Sequence, residues 1–68
     1  MDTNIFNIAD RVKNARLDAK LTQTELGKKI GKSKQWVSEL EHGNIKLSFE
    51  MAMLISKACD KTIDFFCS

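Results

Sequence analysis

The sequence predicts an all-α domain built from five short helices. Apolar residues recur every three or four positions along almost the whole chain, and no stretch keeps up the alternation of apolar and polar residues that a β-strand needs. Ser, Thr or Gly stands at most of the predicted helix ends, where these residues cap the backbone. The chain has 68 residues, which suffice for one hydrophobic core. We therefore expect residues 1–68 to form a single domain.

Helix 1 is predicted over residues 5–19. Its apolar residues lie at intervals of four and three, so that Ile8, Val12, Ala15 and Ala19 fall on one buried stripe. This stripe is the contribution of helix 1 to the core.

Helix 2 begins with a capping box. Thr22 and Glu25 are spaced so that each side chain can accept a hydrogen bond from the backbone N–H of the other residue. Leu26 and Ile30 form the apolar face, and Gly31 is predicted to end the helix.

Helix 3 is predicted over residues 34–42, after Ser33 as its N-cap. Val37 and Leu40 face inward, and Gly43 ends the helix. Trp36 lies at the edge of the inward face, and we expect it to pack against the scaffold, with contact to a ligand as the alternative.

Helices 2 and 3 are joined by only three residues, 31–33, a connection typical of two helices that cross at roughly 90–120°. Gly27 permits a close approach at the crossing. The shared core of the pair comes from Leu26, Ile30, Val37 and Leu40. We therefore predict a helix-turn-helix motif over residues 22–43.

The outward face of helix 3 carries side chains that can hydrogen-bond to base edges. Glutamine pairs with adenine, lysine donates to guanine and glutamate accepts from cytosine, and the first residues of such a helix reach deepest into the major groove. An ordinary solvated face is the alternative. We predict base contacts from Lys34, Gln35, Ser38 and Glu39, with the first two the most important.

Groups suited to phosphate surround this face. The chain has a net charge of +2, but six lysines against three glutamates give residues 20–46 a net charge of +3. The N-terminus of helix 2 adds free backbone N–H groups. We predict phosphate contacts from Thr22, Gln23, Lys32, Asn44 and Lys46.

Two more helices are predicted near the C-terminus. Ser48 caps helix 4, which extends to about residue 59 with an apolar surface that starts at Phe49, and Thr62 caps a short fifth helix. A core of this size holds only part of the apolar surface near the C-terminus, so residues 48–66 are expected to contain a homodimer interface. Its predicted residues are Met51, Ile63, Phe65 and Phe66.

One sequence motif spans the predicted helix-turn-helix. It consists of Leu-Thr-Gln-x-Glu-Leu over residues 21–26, followed by Gly31, Val37, Leu40, Glu41 and Gly43. Together with residues 8–16, 47–50, 55–58 and 62–65, this pattern resembles the Cro/repressor-type (Xre family) helix-turn-helix domain. The chain is thus similar to lambdoid phage repressors and restriction-modification controller proteins over roughly residues 5–66.

The resemblance implies a compact, five-helix, lambda-repressor-like DNA-binding domain with helix 3 as recognition helix. It further implies that Gln23 holds a phosphate and braces that helix, and that Arg16 and Glu41 form a buried ion pair. Four positions depart from the family pattern: Lys20 stands where a glycine often ends helix 1, Gly27 replaces a common alanine, Leu47 replaces a common proline before helix 4, and Trp36 is larger than the usual residue.

The expected function is that of a sequence-specific regulator that binds double-stranded DNA as a homodimer, most simply a repressor. One alternative is an antitoxin-like protein that also binds a partner protein, and another is a protein-interaction module without DNA binding. An enzyme has the least support, because the chain has one histidine and no recognisable catalytic set.

Several ligand classes are not expected. No apolar run approaches the roughly 18 residues of a membrane span. Cys59, Cys67 and His42 have no recognised zinc spacing, so we expect no metal and two reduced thiols, with a disulfide as the lesser alternative. We expect no cofactor, no small-molecule ligand and a cytoplasmic location.

Overall fold

Four helices make up the part of the chain that the computed structural model describes, residues 4–61. They are α1 (Asn4–Asp18), α2 (Gln23–Ile30), α3 (Lys34–Glu41) and α4 (Phe49–Cys59). No strand occurs among these residues, which confirms the all-α prediction. The predicted fifth helix, with Ile63, Phe65 and Phe66, lies outside the described residues. None of the four helices is both long enough and apolar enough to cross a membrane.

The core receives buried side chains from all four helices. Its members are Val12 and Ala15 of α1, Leu26 and Ile30 of α2, Val37 and Leu40 of α3, and Ala52, Ile55 and Cys59 of α4. The core residues predicted for the helix-turn-helix are therefore correct. The 3.6-residue period identified these positions because each helix buries one face only.

Phe49 lies on the predicted apolar surface of helix 4 but outside the core. It shares a stripe with Ala52 and Ile55, but it lies one turn before the first buried residue of that stripe and is 65% exposed. Helical periodicity places Phe49 on the correct side of α4 but does not show where the core ends along the helix axis.

The four helices end in the same way. Each is followed by a residue in the left-handed backbone conformation, and the residue after that donates its N–H back to the helix. In each case the next N–H donates to a carbonyl five residues earlier, which satisfies a carbonyl that the helix leaves unpaired. These bonds are Leu21 to Arg16, Lys32 to Gly27, Asn44 to Glu39, and Lys61 to Ser56, at 2.8–3.1 Å. The left-handed residues are Lys20, Gly31, Gly43 and Asp60.

Gly27 lies where α2 meets the turn that precedes α3. A Cβ atom at this position would lie 2.5 Å from the backbone carbonyl oxygen of Lys32 and 3.2 Å from that of Ser33. The absence of a side chain therefore lets the turn fold back against α2, as the sequence predicts.

Candidate nucleic-acid interface

The helix-turn-helix is held by caps on both of its helices. The hydroxyl of Thr22 accepts from the N–H of Glu25 at 3.0 Å, and Oε1 of Glu25 accepts from the N–H of Thr22 at 2.8 Å. At α3 the hydroxyl of Ser33 accepts from the N–H of Trp36 at 3.1 Å. The predicted capping box and the predicted N-cap of α3 are both present, and they fix where each helix begins.

A buried ionic network ties α1 and α2 to α3. Nε of Arg16 donates to Oε2 of Glu41 at 2.7 Å, and Nη2 of Arg16 donates to Oε1 at 3.1 Å. Nε2 of Gln23 also donates to Oε1 of Glu41, at 3.1 Å. Arg16 is only 8% exposed, and its Nη1 donates to the carbonyl of Leu21. Each charge therefore has partners, as a buried pair requires.

This network contains the ion pair and the brace that the resemblance implies. Glu41 belongs to the last turn of α3, and Gln23 is the first residue of α2. The contact therefore sets the orientation of α3 relative to the N-terminus of α2, from which backbone N–H groups point outward.

The outward face of α3 is open to solvent. Lys34 and Gln35 are exposed, and Ser38 and Glu39 are half-buried. These four residues line one shallow surface depression, together with Gln23 and Ser33 from the start of each helix. The structure thus brings the four predicted base-contact residues together, next to one predicted phosphate contact.

Glu39 and Asn44 are joined across the end of α3. Nδ2 of Asn44 donates to Oε1 of Glu39 at 2.8 Å, beside the backbone bond between the same two residues. Sequence reasoning did not find this contact. The signal available to it was the glycine at position 43, because a left-handed residue there places Asn44 beside Glu39.

Lys32 and Trp36 form a cation–π pair. The Nζ atom of Lys32 lies 5.1 Å from the centroid of the indole ring, within the range of an attractive contact. Trp36 is half-buried and packs against the core, which favours the packing interpretation of this residue. Lys32 itself is exposed in the turn, and Lys46 is exposed in the loop that follows α3.

The cysteine and histidine side chains in the described part of the chain have structural surroundings. No cluster of three or more His, Cys, Asp or Glu side chains is present among these residues. Cys59 is a buried free thiol, and its burial raises the pKa above the usual thiol value. His42 serves as a cap, because its Nδ1 donates to the carbonyl of Ser38 at 2.7 Å.

Comparison with protein families settles the type of domain. A family model described as Helix-turn-helix matches residues 12–66, which is most of the chain. The chain belongs to the Xre/Cro-type helix-turn-helix family. Domains of this helix-turn-helix family are DNA-binding regulatory domains rather than typical enzymes. Comparisons with curated proteins and with solved structures gave no match.

Proposed function

We propose that this helix-turn-helix protein is a sequence-specific transcriptional regulator, and that it represses by binding an operator as a homodimer. The observation that carries the proposal is the combination of an anchored α3 with a polar, accessible outward face. A helix that is fixed by Glu41 and Ser33 enters the major groove in one orientation, and its exposed side chains then meet defined base edges.

Base reading is assigned to the outward face of α3. Lys34 and Gln35 belong to its first turn, which reaches deepest into the groove, and they suit guanine and adenine respectively. Ser38 and Glu39 lie one turn further on, and the carboxylate of Glu39 suits the amino group of cytosine.

Phosphate binding is assigned to the rim of this face. The N-terminus of α2 offers the backbone N–H of Gln23 and the positive end of the helix dipole, and the hydroxyl of Thr22 still has its proton to donate. Lys32 and Lys46 add exposed positive charge on either side of α3. Such contacts fix the register of the protein on DNA and carry little sequence information.

Dimer formation is assigned to the C-terminal part of the chain. Phe49, Met53 and Leu54 expose apolar surface on α4, and Met51 is half-buried beside them. These residues lead into the segment that contains Phe65 and its apolar neighbours. A homodimer on a near-palindromic site needs its two α3 helices about 34 Å apart, the spacing of successive major grooves.

A repressor of this kind would need no small-molecule ligand. Occupancy of the operator would then depend on protein concentration, on dimer strength and on any partner protein. Such a repressor would act in the cytoplasm, where it would meet DNA and block access to a promoter.

Selection from a random duplex library at moderate salt tests the proposal. We expect enrichment of an inverted repeat with half-site centres about 10 bp apart. The double variant Lys34→Ala/Gln35→Ala should lose this enrichment, whereas Lys13→Ala, an exposed lysine of α1, should keep it. Retention that is blind to sequence, or no retention, would instead favour a module that acts through a protein partner.

A further inference from the structure

Asn44 is held against Glu39 by two bonds at once. Its backbone N–H donates to the carbonyl of Glu39 at 2.9 Å, and its side-chain Nδ2 donates to the carboxylate Oε1 at 2.8 Å. Gly43, with φ of 81°, turns the chain so that both bonds form. Helix ends of this type usually place a hydrophobic contact between these two positions. Here a charge-assisted hydrogen bond takes its place.

This contact changes what the Glu39 side chain can do. A free glutamate on the DNA-facing side of a helix is flexible and is repelled by phosphate. Once Asn44 engages Oε1, the carboxylate is oriented, and its other oxygen, Oε2, has no hydrogen bond within residues 4–61. An oriented acceptor in the major groove is matched by the amino group of cytosine.

The same contact makes Asn44 a poor phosphate ligand. Its backbone N–H is already used, and one proton of its side-chain amide points at Glu39. A phosphate oxygen on the remaining amide proton would lie roughly 5 Å from the Glu39 carboxylate, given ordinary hydrogen-bond geometry. Two anions repel at that distance, whereas the carboxylate beside Gln23, that of Glu41, is neutralised by Arg16.

We infer that Asn44 is a positioning residue for specificity: it holds the Glu39 carboxylate so that Oε2 accepts from cytosine at one base pair of the operator. The inference rests on the proposed function and replaces the phosphate contact expected of Asn44. It assigns the loop after α3 a part in base selection, although the loop itself touches no base.

The test measures affinity for the selected duplex and for the three duplexes that differ at the base pair sensitive to Glu39→Ala. Asn44→Ala should reduce the preference for cytosine at that base pair by about five- to tenfold, the size of a typical net hydrogen-bond contribution. Preferences at other positions should stay as they are. In the Glu39→Ala background, Asn44→Ala should change nothing further, because the two residues act as one unit.

Two further variants make the result decisive. Asn44→Asp keeps the shape of the side chain but removes the donor and adds a like charge, so it should reduce the preference at this base pair at least as much as Asn44→Ala does. Lys46→Ala, an exposed neighbour in the same loop, should weaken binding to all four duplexes alike and lower the salt dependence. Urea unfolding of each variant checks that the fold is retained.

The outcomes separate this inference from the proposed function. An equal loss of affinity on all four duplexes for Asn44→Ala, or no change on any of them, would overturn the positioning role and leave the regulator intact. A wild-type protein with no base preference at any position would overturn both.

Discussion

At the scale of single residues, the side chains on the outward face of α3 differ in how free they are. Glu39 is tied to Asn44, whereas Lys34 and Gln35 are exposed and make no hydrogen bond within residues 4–61. A long free side chain loses up to about 2 kcal/mol of conformational free energy when it becomes ordered. The base contacts proposed for the first turn of α3 would therefore have to offset this cost.

Gln35→Ala tests a single base contact. We expect a loss of about 1–3 kcal/mol in binding free energy on the selected operator and a relaxed preference at one base pair, because a bidentate contact to adenine disappears. Titration of duplexes with each base at that position measures both quantities. An unchanged base preference would remove Gln35 from the readout.

At the scale of helices, the ends were easier to predict than the contacts between them. Thr22, Ser33 and Gly31 mark their helix ends because caps depend on residues that are close in sequence. The network of Arg16, Gln23 and Glu41 joins positions up to 25 residues apart. No local pattern encodes such a contact, and only the resemblance to a family pointed to it.

The Glu39–Asn44 contact escaped prediction for a related reason. The backbone hydrogen bond follows from a glycine at position 43. The side-chain hydrogen bond depends in addition on the rotamers of both residues. The exposure of Phe49 was not predicted, because periodicity gives the direction of a side chain and not the extent of the core. The outward face of α3 lies at the surface as predicted, with Lys34 and Gln35 exposed, because solvent exposure does follow from periodicity.

Lys20→Gly tests the strain at the end of α1. Lys20 has φ of 61°, a left-handed conformation that crowds the Cβ atom. Glycine removes this crowding, so we expect the free energy of unfolding to rise by about 0.5–1 kcal/mol in urea titrations. Lys20→Ala keeps the Cβ atom and should give no such gain. Equal gains for both variants would show that the strain is absent.

Arg16→Met tests the link between α1 and α3. The variant leaves Glu41 buried without its guanidinium partner, so we expect a loss of about 3–5 kcal/mol in the free energy of unfolding. Arg16→Met/Glu41→Leu removes both charges and should recover most of the loss. Thermal and urea unfolding measure the effect, and a loss below about 1 kcal/mol for the single variant would argue against a stabilising role for the pair.

At the scale of the whole molecule, the proposed DNA-binding face and the proposed dimer face lie on different helices. The polar outward face belongs to α3, whereas α4 carries three exposed apolar side chains, Phe49, Met53 and Leu54. A domain that binds DNA through one helix and a second copy through another can do both at once. This separation is what a repressor on a near-palindromic site requires.

Phe65→Asp tests the oligomeric state. A charge in an apolar interface is costly to desolvate, so we expect sedimentation velocity to show a shift from dimer to monomer. Leu17→Asp, which alters an exposed apolar residue of α1, should leave the dimer unchanged. A dimer that persists in Phe65→Asp would place the interface elsewhere.

The pair formed by Lys32 and Trp36 should make the tryptophan fluorescence of the protein sensitive to DNA binding. The chain has one tryptophan, so its indole emission comes from this single place beside the turn. A phosphate that attracts the ammonium group of Lys32 would draw the cation away from the ring and change the emission. We expect a fluorescence change when duplex is added, and a smaller one for Lys32→Met. Binding could then be followed in real time without attaching a dye.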